Sequence, residues 1–409
     1  MNDILIIGSG PAALTLAAAC GEHGLSVCVV APDPDARWKQ NFGTWEDELH
    51  GSEFETCVDR TWSNPLAYTP KRQDLRRSYA RINTPKLQDM VHAKVDAVGV
   101  RLRRGTVRSV DHMSTHSVVA LTKGDNLCAR IVVDATGHSK NFLRKSGGWS
   151  DAWQTAYGQL LRVRGGHPWS DDEMVLMDFR VPSGANRGWR RRPTFLYVMP
   201  MGPDHVFVEE TVLIQRPMIG MDELRARLQV RMRDVGLSVA SVEEEERCVI
   251  RMIGARPVIG QRTLAFGASA GMIHPASGYS VSRVLQQAPH LAETLAAHLG
   301  AGVDLTTTSQ AAWATLWPQD RQRQWELYGF GADMLCALSA AQLQQFFQAF
   351  FAMRPELWHG YLSATLPPTG IAKAMSSLFL NARMSTQRML LSAGASRRGI
   401  TLLRGMMRA

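Results

Sequence analysis

Residues near the start, Ile4-Leu5-Ile6-Ile7-Gly8-Ser9-Gly10-Pro11-Ala12-Ala13, constrain this chain more than any other stretch. An apolar, β-branched run reads as a buried strand, and the two glycines end it in a tight turn. The Ala/Leu-rich residues that follow, to about Gly24, read as a helix, and Ser26 to Val30 as a second strand. Each small residue in this βαβ unit has a purpose. Gly8 permits the turn, Gly10 lets the backbone approach a pyrophosphate, and Ala13 stands at the third glycine position, where helix meets strand. The helix start around Ser9, Pro11 and Ala12 offers unpaired N–H groups and a positive dipole end to phosphates. The unit is a dinucleotide fingerprint.

Two later segments extend it. Ile131-Val132-Val133-Asp134-Ala135-Thr136-Gly137 is an apolar strand ending in a small-residue turn, which makes Thr136 and Gly137 cofactor-contact candidates. Leu264-Ala265-Phe266-Gly267-Ala268-Ser269-Ala270-Gly271 is followed by Met272, His274-Pro275 and Gly278-Tyr279, then by a helix from about Val281. This second glycine turn and helix start place Gly267, Ala268, Gly271, Met272, Gly278 and Tyr279 where a flavin needs backbone donors. Three such segments fit FAD rather than NAD, because FAD is the longer ligand and is held along its length. The acidic residue that ordinarily holds the adenosine ribose is displaced here, in Ala31-Pro32-Asp33. Either Asp33 reaches the ribose from a shifted position or that hydrogen bond is missing.

The fold expected is α/β: a Rossmann-like FAD-binding domain of the two-lobed flavoprotein monooxygenase type, with an inserted, mainly antiparallel β substrate lobe and a helical C-terminal lobe. The divisions read 1–148 for the first part of the FAD-binding domain, 149–247 for the substrate lobe, 248–303 for the second part of the FAD-binding domain and 304–409 for the helical lobe. In the substrate lobe, Met174 to Arg180, Thr194 to Met199 and Val206 to Leu213 read as strands, with one helix starting near Asp222.

The most unusual chemistry lies in the strand Val206-Phe207-Val208-Glu209-Glu210-Thr211-Val212-Leu213. Consecutive side chains on a strand point to opposite faces, so one of the two carboxyls faces a core or cavity. A buried carboxyl resists ionisation and becomes a candidate proton donor at neutral pH. The competing reading is an edge strand whose outward glutamate is solvated and whose inward one pairs with an arginine.

Composition narrows the partners. The formal charge is +9 over 409 residues, but the basic residues form no dense tracts interleaved with aromatics, so nucleic acid is not expected. From Trp358 onward there are seven basic residues (Lys373, Arg383, Arg388, Arg397, Arg398, Arg404 and Arg408) and no acidic one, amid Met, Leu and Phe. That pattern suits either an anionic membrane surface or a helical cap packed on the protein's own body. No window is apolar for long enough to span a bilayer. The chain opens almost directly into a strand, leaving no room for a signal peptide, so the expectation is a cytoplasmic protein lying peripherally on the inner face of the membrane. Six scattered cysteines suggest reduced thiols, with no structural metal.

Several segments together resemble the plant and cyanobacterial type of lycopene cyclase. They are Gly8 to Ala13, Pro32-Asp33-Pro34, Asn41-Phe42-Gly43-Thr44-Trp45 with Asp47-Glu48, Tyr79-Ala80-Arg81-Ile82-Asn83, and Met177-Asp178-Phe179. Further on come Pro193 to Pro200, Phe207-Val208-Glu209-Glu210-Thr211, Ala270 to Pro275, Gly278-Tyr279, and Phe350-Phe351 with Trp358-His359-Gly360. They run in family order over nearly the whole length, and the glutamate pair is the most specific of them. Val208 stands where the family often has Leu, Ala276-Ser277 replaces a commoner Ser-Thr, and no transit peptide precedes the fingerprint, which points to a bacterial enzyme.

The resemblance implies a membrane-associated flavoprotein, an isomerase of the intramolecular lyase type, that closes the ends of lycopene into rings without net redox change yet requires reduced FAD. NAD(P)H is the expected electron donor, although no second glycine fingerprint marks a site for it. Ring closure needs a proton on the terminal double bond and stabilisation of the resulting cation. A fixed anion about 4 Å away contributes around 4 kcal/mol at an effective dielectric of about 20, and a cation–π contact adds about 1–2 kcal/mol. Glu209 and Glu210 are the catalytic candidates, with Glu209 favoured as the acid from its place in the family motif. Trp45 and Tyr279 are candidates for an aromatic wall, and Trp45, His274 and Pro275 for the substrate side. Other open readings are a flavin monooxygenase or prenyl-chain reductase, a cyclase of another polyprenyl compound, and a non-catalytic flavin-binding membrane protein.

Overall fold

The computed structural model of the chain describes residues 1–138, 142–185 and 187–394. Its first strand, Asn2–Ile7, leads into the helix Pro11–Glu22 and on to the strand Val27–Ala31, which pairs in parallel with the first. Proline at the first helical position costs nothing, since its missing N–H has no partner there in any helix. Leu127–Asp134 lies parallel on the other side of the first strand, with Ile6 opposite Val133, and Thr263–Ala265 pairs in parallel with its end. The chain thus returns twice to one cofactor sheet. Arg101–Arg104 completes one side, and the strands Ser117–Leu121 and Val107–His112 complete the other.

A second, mainly antiparallel sheet carries the chemistry. Its order is Val239–Ile253, Ala152–Val163, His205–Gln215, Phe195–Pro200, Val175–Asp178, Leu66–Tyr68 and Arg72–Asp74. The sheet therefore recruits two short strands from inside the stretch assigned by sequence to the cofactor domain, and its edge strand runs past residue 247 to Ile253. Backbone pairing joins whatever lies side by side, so a sheet need not respect a division drawn along the chain. The helix Met221–Asp234 covers one face of this sheet, burying Leu224 and Leu228 against Val206, Val208 and Val212. The opposite face looks toward the cofactor sheet and the C-terminal helices, where Phe207 and Leu213 join the main core.

A small sheet of Phe42–Trp45, Tyr79–Ile82 and Val58–Trp62 closes a third side. The C-terminal part is helical: Leu305–Leu316, Gln319–Leu335, Ala340–Phe351, Pro355–Leu362, Pro368–Asn381 and Met384–Gly394. Among the described residues, no helix is long and apolar enough to cross a membrane. Arg397, Arg398, Arg404 and Arg408 of the cationic tail lie outside the described residues.

Candidate active site

The glutamate strand His205–Gln215 is central in its sheet rather than at an edge, and it is covered on both faces. Alternation then sends its two carboxyls into different environments. Glu210 points with Val208 and Val212 toward the helix Met221–Asp234 and is fully buried. There it accepts from Arg231 Nε at 2.9 Å and from the Thr194 hydroxyl, while Arg231 also donates to the Thr194 carbonyl at 3.2 Å. Burial pushes the Glu210 pKa up against the pull of Arg231. Trp189 lies 5.0 Å from the guanidinium carbons of both Arg227 and Arg231. Glu210 is thus sealed from solvent, held by an arginine as in the inward half of the edge-strand reading.

Glu209 takes the other face. It lines a chamber of about 210 Å³ together with Trp45, Tyr79, Tyr197, Phe207 and Tyr279. Thr211 Oγ1 donates to its carboxyl at 2.5 Å. Desolvation, joined by the negative charge of a neighbouring carboxylate, raises its pKa from 4.5 to about 8. That neighbour is Glu246 on the edge strand. Glu209 and Glu246 both stand opposite Gly158 of the strand between them, one on each side. Their carboxylate oxygens and Cys248 Sγ all lie within 4.8 Å of one another.

Glu246 accepts from the Asn41 amide at 3.0 Å and from Cys248 Sγ at 3.2 Å, and burial raises its pKa as well. Sequence reasoning missed it. The run Glu243-Glu244-Glu245-Glu246 resembles a solvated charge cluster, but Glu246, Cys248, Ile250 and Met252 form a period-two series that turns apolar, which is the mark of an inward face.

The remaining wall is aromatic. Tyr79 sits between Trp45, at a centroid distance of 5.3 Å, Tyr197 at 6.4 Å and Tyr279 at 6.1 Å. Burial holds the phenols of Tyr79, Tyr197 and Tyr279 well above their usual pKa, so they are neutral. Trp45 is fully buried on the chamber wall, with Arg77 4.6 Å from its ring centroid. His274 and Pro275 are not on the chamber. His274 packs 4.5 Å from the Tyr328 ring, accepts from the Ala276 and Ser277 amides at Nδ1, and is kept neutral by burial, its pKa lowered to about 3. It fastens the turn that presents Gly278 and Tyr279: the Gly278 amide donates to the His274 carbonyl and the His274 amide to that of Tyr279. Pro275 faces a crevice beside Trp325.

A cleft of about 780 Å³ lies along the fingerprint, lined by Gly8, Ser9, Gly10, Pro11, Ala12, Thr136, Gly137, Gly267 and Ala268. Gly8 has φ +116°, and a Cβ there would lie 2.6 Å from the Ala135 carbonyl oxygen. At Gly10 a Cβ would meet nothing within 4 Å, so this glycine keeps clear a space outside the protein's own packing. No side chain caps the helix start there. An open cradle at an uncapped helix N-terminus fits the pyrophosphate of a dinucleotide. Ala13 is buried against the strand. Asp33 is turned to Arg104, 2.7 Å away, while its carbonyl accepts from Ser9 Oγ at 3.2 Å. Gly271 and Met272 lie beneath the turn, with Met272 buried and its sulfur 3.2 Å from the Gly267 amide nitrogen.

The cleft and the acid chamber share Gln40, Phe42, Ser280 and Val281 as walls. On its other side the chamber shares Ala276, Phe347, Phe350 and Leu362 with an apolar cavity of about 710 Å³ among the C-terminal helices. A dinucleotide-sized cleft, a chamber holding an acid, and a hydrocarbon-lined cavity therefore stand in line.

This fold and site define a two-lobed α/β protein with a dinucleotide-type cleft and a carboxylic acid in an adjoining chamber. The likeness to solved structures is of the fold: a geranylgeranyl bacteriochlorophyll reductase-like protein from Thermoplasma acidophilum superposes with a TM-score of 0.71 at 12% identity, covering 95% of this chain and 99% of that one. A halogenase in complex with FAD superposes with a TM-score of 0.62 at 12% identity, over 99% of this chain and 94% of that one. The chain belongs to the lycopene cyclase family, whose lycopene cyclase protein model matches residues 3–388. It is 36% identical over 404 residues to a chloroplastic lycopene beta cyclase of Arabidopsis thaliana (96% of this chain, 80% of that one) and 38% identical over 373 residues to that of Nicotiana tabacum (89% and 74%). A capsanthin/capsorubin synthase of Citrus sinensis is 36% identical over 395 residues, 94% of this chain and 78% of that one.

Proposed function

We propose that this protein closes the ψ end groups of lycopene into β-ionone-type rings, with reduced FAD held in the fingerprint cleft and Glu209 as the proton donor. The observation that carries this reading is a carboxyl with a pKa of about 8 in a chamber between a dinucleotide cleft and an apolar cavity. At neutral pH Glu209 is protonated. Its O–H bond breaks as a C–H bond forms at the terminal alkene, leaving a tertiary cation. The neighbouring double bond then supplies its electron pair to close the ring. Finally a ring C–H bond gives its electrons to a new double bond and its proton to a carboxylate. Atoms and electrons balance with no oxidant, so the product is an isomer. Reduced FAD bound in the cleft would supply negative charge facing the developing cation, and NAD(P)H is the donor we propose for keeping it reduced. Tyr79, Tyr197 and Tyr279 present polarisable rings around the chamber, where cation–π attraction grows as water is excluded. Glu210 plays no part in the proton transfer on this reading.

The substrate is a hydrocarbon dissolved in membrane. Leu380 and Leu391 line the apolar cavity yet are 75% and 61% exposed, and Met384 between them is 69% exposed. With Lys373, Arg383 and Arg388 nearby in sequence, this cluster suits the surface of an anionic bilayer at the cavity mouth. Expression in a lycopene-accumulating host tests the reading through a product of unchanged mass and shifted absorption. Unconverted lycopene would count against it. A carotenoid whose end group is already modified is a second substrate reading, favoured by the equal identity to a capsanthin/capsorubin synthase. Conversion of a modified end group, with lycopene untouched, would select it.

A further inference from the structure

Three features meet at one cross-strand row. Gly158 stands between Glu209 and Glu246 and brings no side chain to separate them. A Cβ on Gly158 would lie 2.6 Å from the tip of the Phe207 ring and 3.3 Å from Glu209 Cβ. Tyr197 stands opposite Glu209 on the far side, which completes a row Tyr197, Glu209, Gly158, Glu246 over four strands. Two carboxyls this close and partly buried in one chamber cannot both ionise without strong repulsion. Such a pair holds one proton between its members over a wide pH range and titrates as a unit.

We propose that Glu246 is the positioning residue for Glu209: across the gap left by Gly158 it forms a carboxyl dyad that holds one proton and keeps Glu209 in its acid form. This rests on the reading of Glu209 as proton donor. The Asn41 amide and Cys248 thiol both donate to Glu246, and hydrogen bonds to an ionised carboxylate favour its charge, so Glu246 is the member that bears it. The groups facing the dyad from the surrounding elements do not neutralise it. Tyr197, Tyr79 and Tyr279 are neutral phenols, Cys248 is a thiol whose pKa burial raises, Glu244 adds negative charge along the edge strand, and Glu210 adds negative charge behind. Arg81, which acts on Glu246, is itself tied to Asp59 at 3.0 Å and to Asn41 at 2.7 Å.

The test is Glu246→Gln in the full-length, FAD-loaded protein. Glutamine keeps an acceptor for the Asn41 amide and removes only the charge. The carboxylic-acid infrared band of Glu209, isolated by difference against Glu209→Gln, should titrate at least about one unit lower than in the unsubstituted protein, a tenfold change in proton affinity. The alkaline limb of the cyclisation rate should move down with it. Glu246→Asp, which keeps the charge, should restore most of the shift. An unmoved Glu209 titration overturns the proposal, as does a uniform rate loss at all pH with that titration unmoved. If the titration moves but lycopene is not converted by any form of the protein, the substrate reading fails and the dyad stands.

Discussion

Glu210 and Arg231 form an ion pair at 2.9 Å in which both side chains are buried, under the helix that closes the sheet's outer face. Charges taken out of water are costly, and removing one partner strands the other. Arg231→Met should therefore destabilise the protein by about 3–5 kcal/mol, whereas the double change Glu210→Met with Arg231→Met should recover most of it. Thermal unfolding of the single and double variants measures this. The refolded double variant should retain cyclisation within a few fold, because the pair lies on the face turned away from the chamber.

Glu209→Gln should behave in the opposite way. Loss of a general acid costs about 10²–10⁴-fold in rate, so product formation by reduced-flavin enzyme should fall by that factor with the fold intact.

The same residue sets a pH dependence of stability. Its pKa rises from an ordinary 4.5 to about 8 on folding, so between these values the folded state holds a proton that the unfolded chain has released. The contribution of Glu209 is fully present below about pH 4.5 and is lost as pH climbs through about 8. Denaturant titrations from pH 5 to 9 should show Glu209→Gln gaining on the unsubstituted protein as pH rises, by up to a few kcal/mol.

Gly158→Ala places a methyl carbon 2.6 Å from the tip of the Phe207 ring and 3.3 Å from Glu209 Cβ. Overpacking of this kind costs about 1–3 kcal/mol. The fall in cyclisation should exceed what the lost folded fraction explains, since the acid itself is displaced. Circular dichroism for the folded fraction and product yield per folded molecule separate the two effects.

Gly8 and Gly10 should part company. Gly8→Ala meets the Ala135 carbonyl at 2.6 Å from a left-handed backbone, so it should lower thermal stability. Gly10→Ala meets nothing in the protein. It should fold normally and purify with little flavin, as read from absorbance after release of the cofactor.

The proposed docking on an anionic bilayer predicts that charged residues at the cavity mouth detach the protein from membranes. Leu380→Glu with Leu391→Glu should reduce flotation with anionic vesicles, and raised salt should weaken the binding of the unsubstituted protein through screening of Lys373, Arg383 and Arg388.

Much of this architecture was legible in the residues alone. Gly8, Gly10 and Ala13 serve a strand–turn–helix unit because their sizes suit only that geometry, and a local pattern of a few residues is enough to state it. That Glu209 and Glu210 face apart follows from the two-residue period of a strand. Which of them meets a cavity does not, because both faces of this central strand are covered and only the neighbours differ: Arg231 across one face, an open chamber across the other. Glu246 lay hidden in an acidic run for the same reason. It lies 37 positions beyond Glu209 in the chain, and the two carboxyls meet only because Ala152–Val163 threads between their strands with a glycine at their level. Trp45 lines the chamber, whereas His274 and Pro275, also read as substrate contacts, lie off it, with His274 bracing the turn that presents Gly278 and Tyr279. Local sequence determined which residues could bear charge or bend sharply; the packing of distant strands decided which charge is neutralised and which is left as an acid.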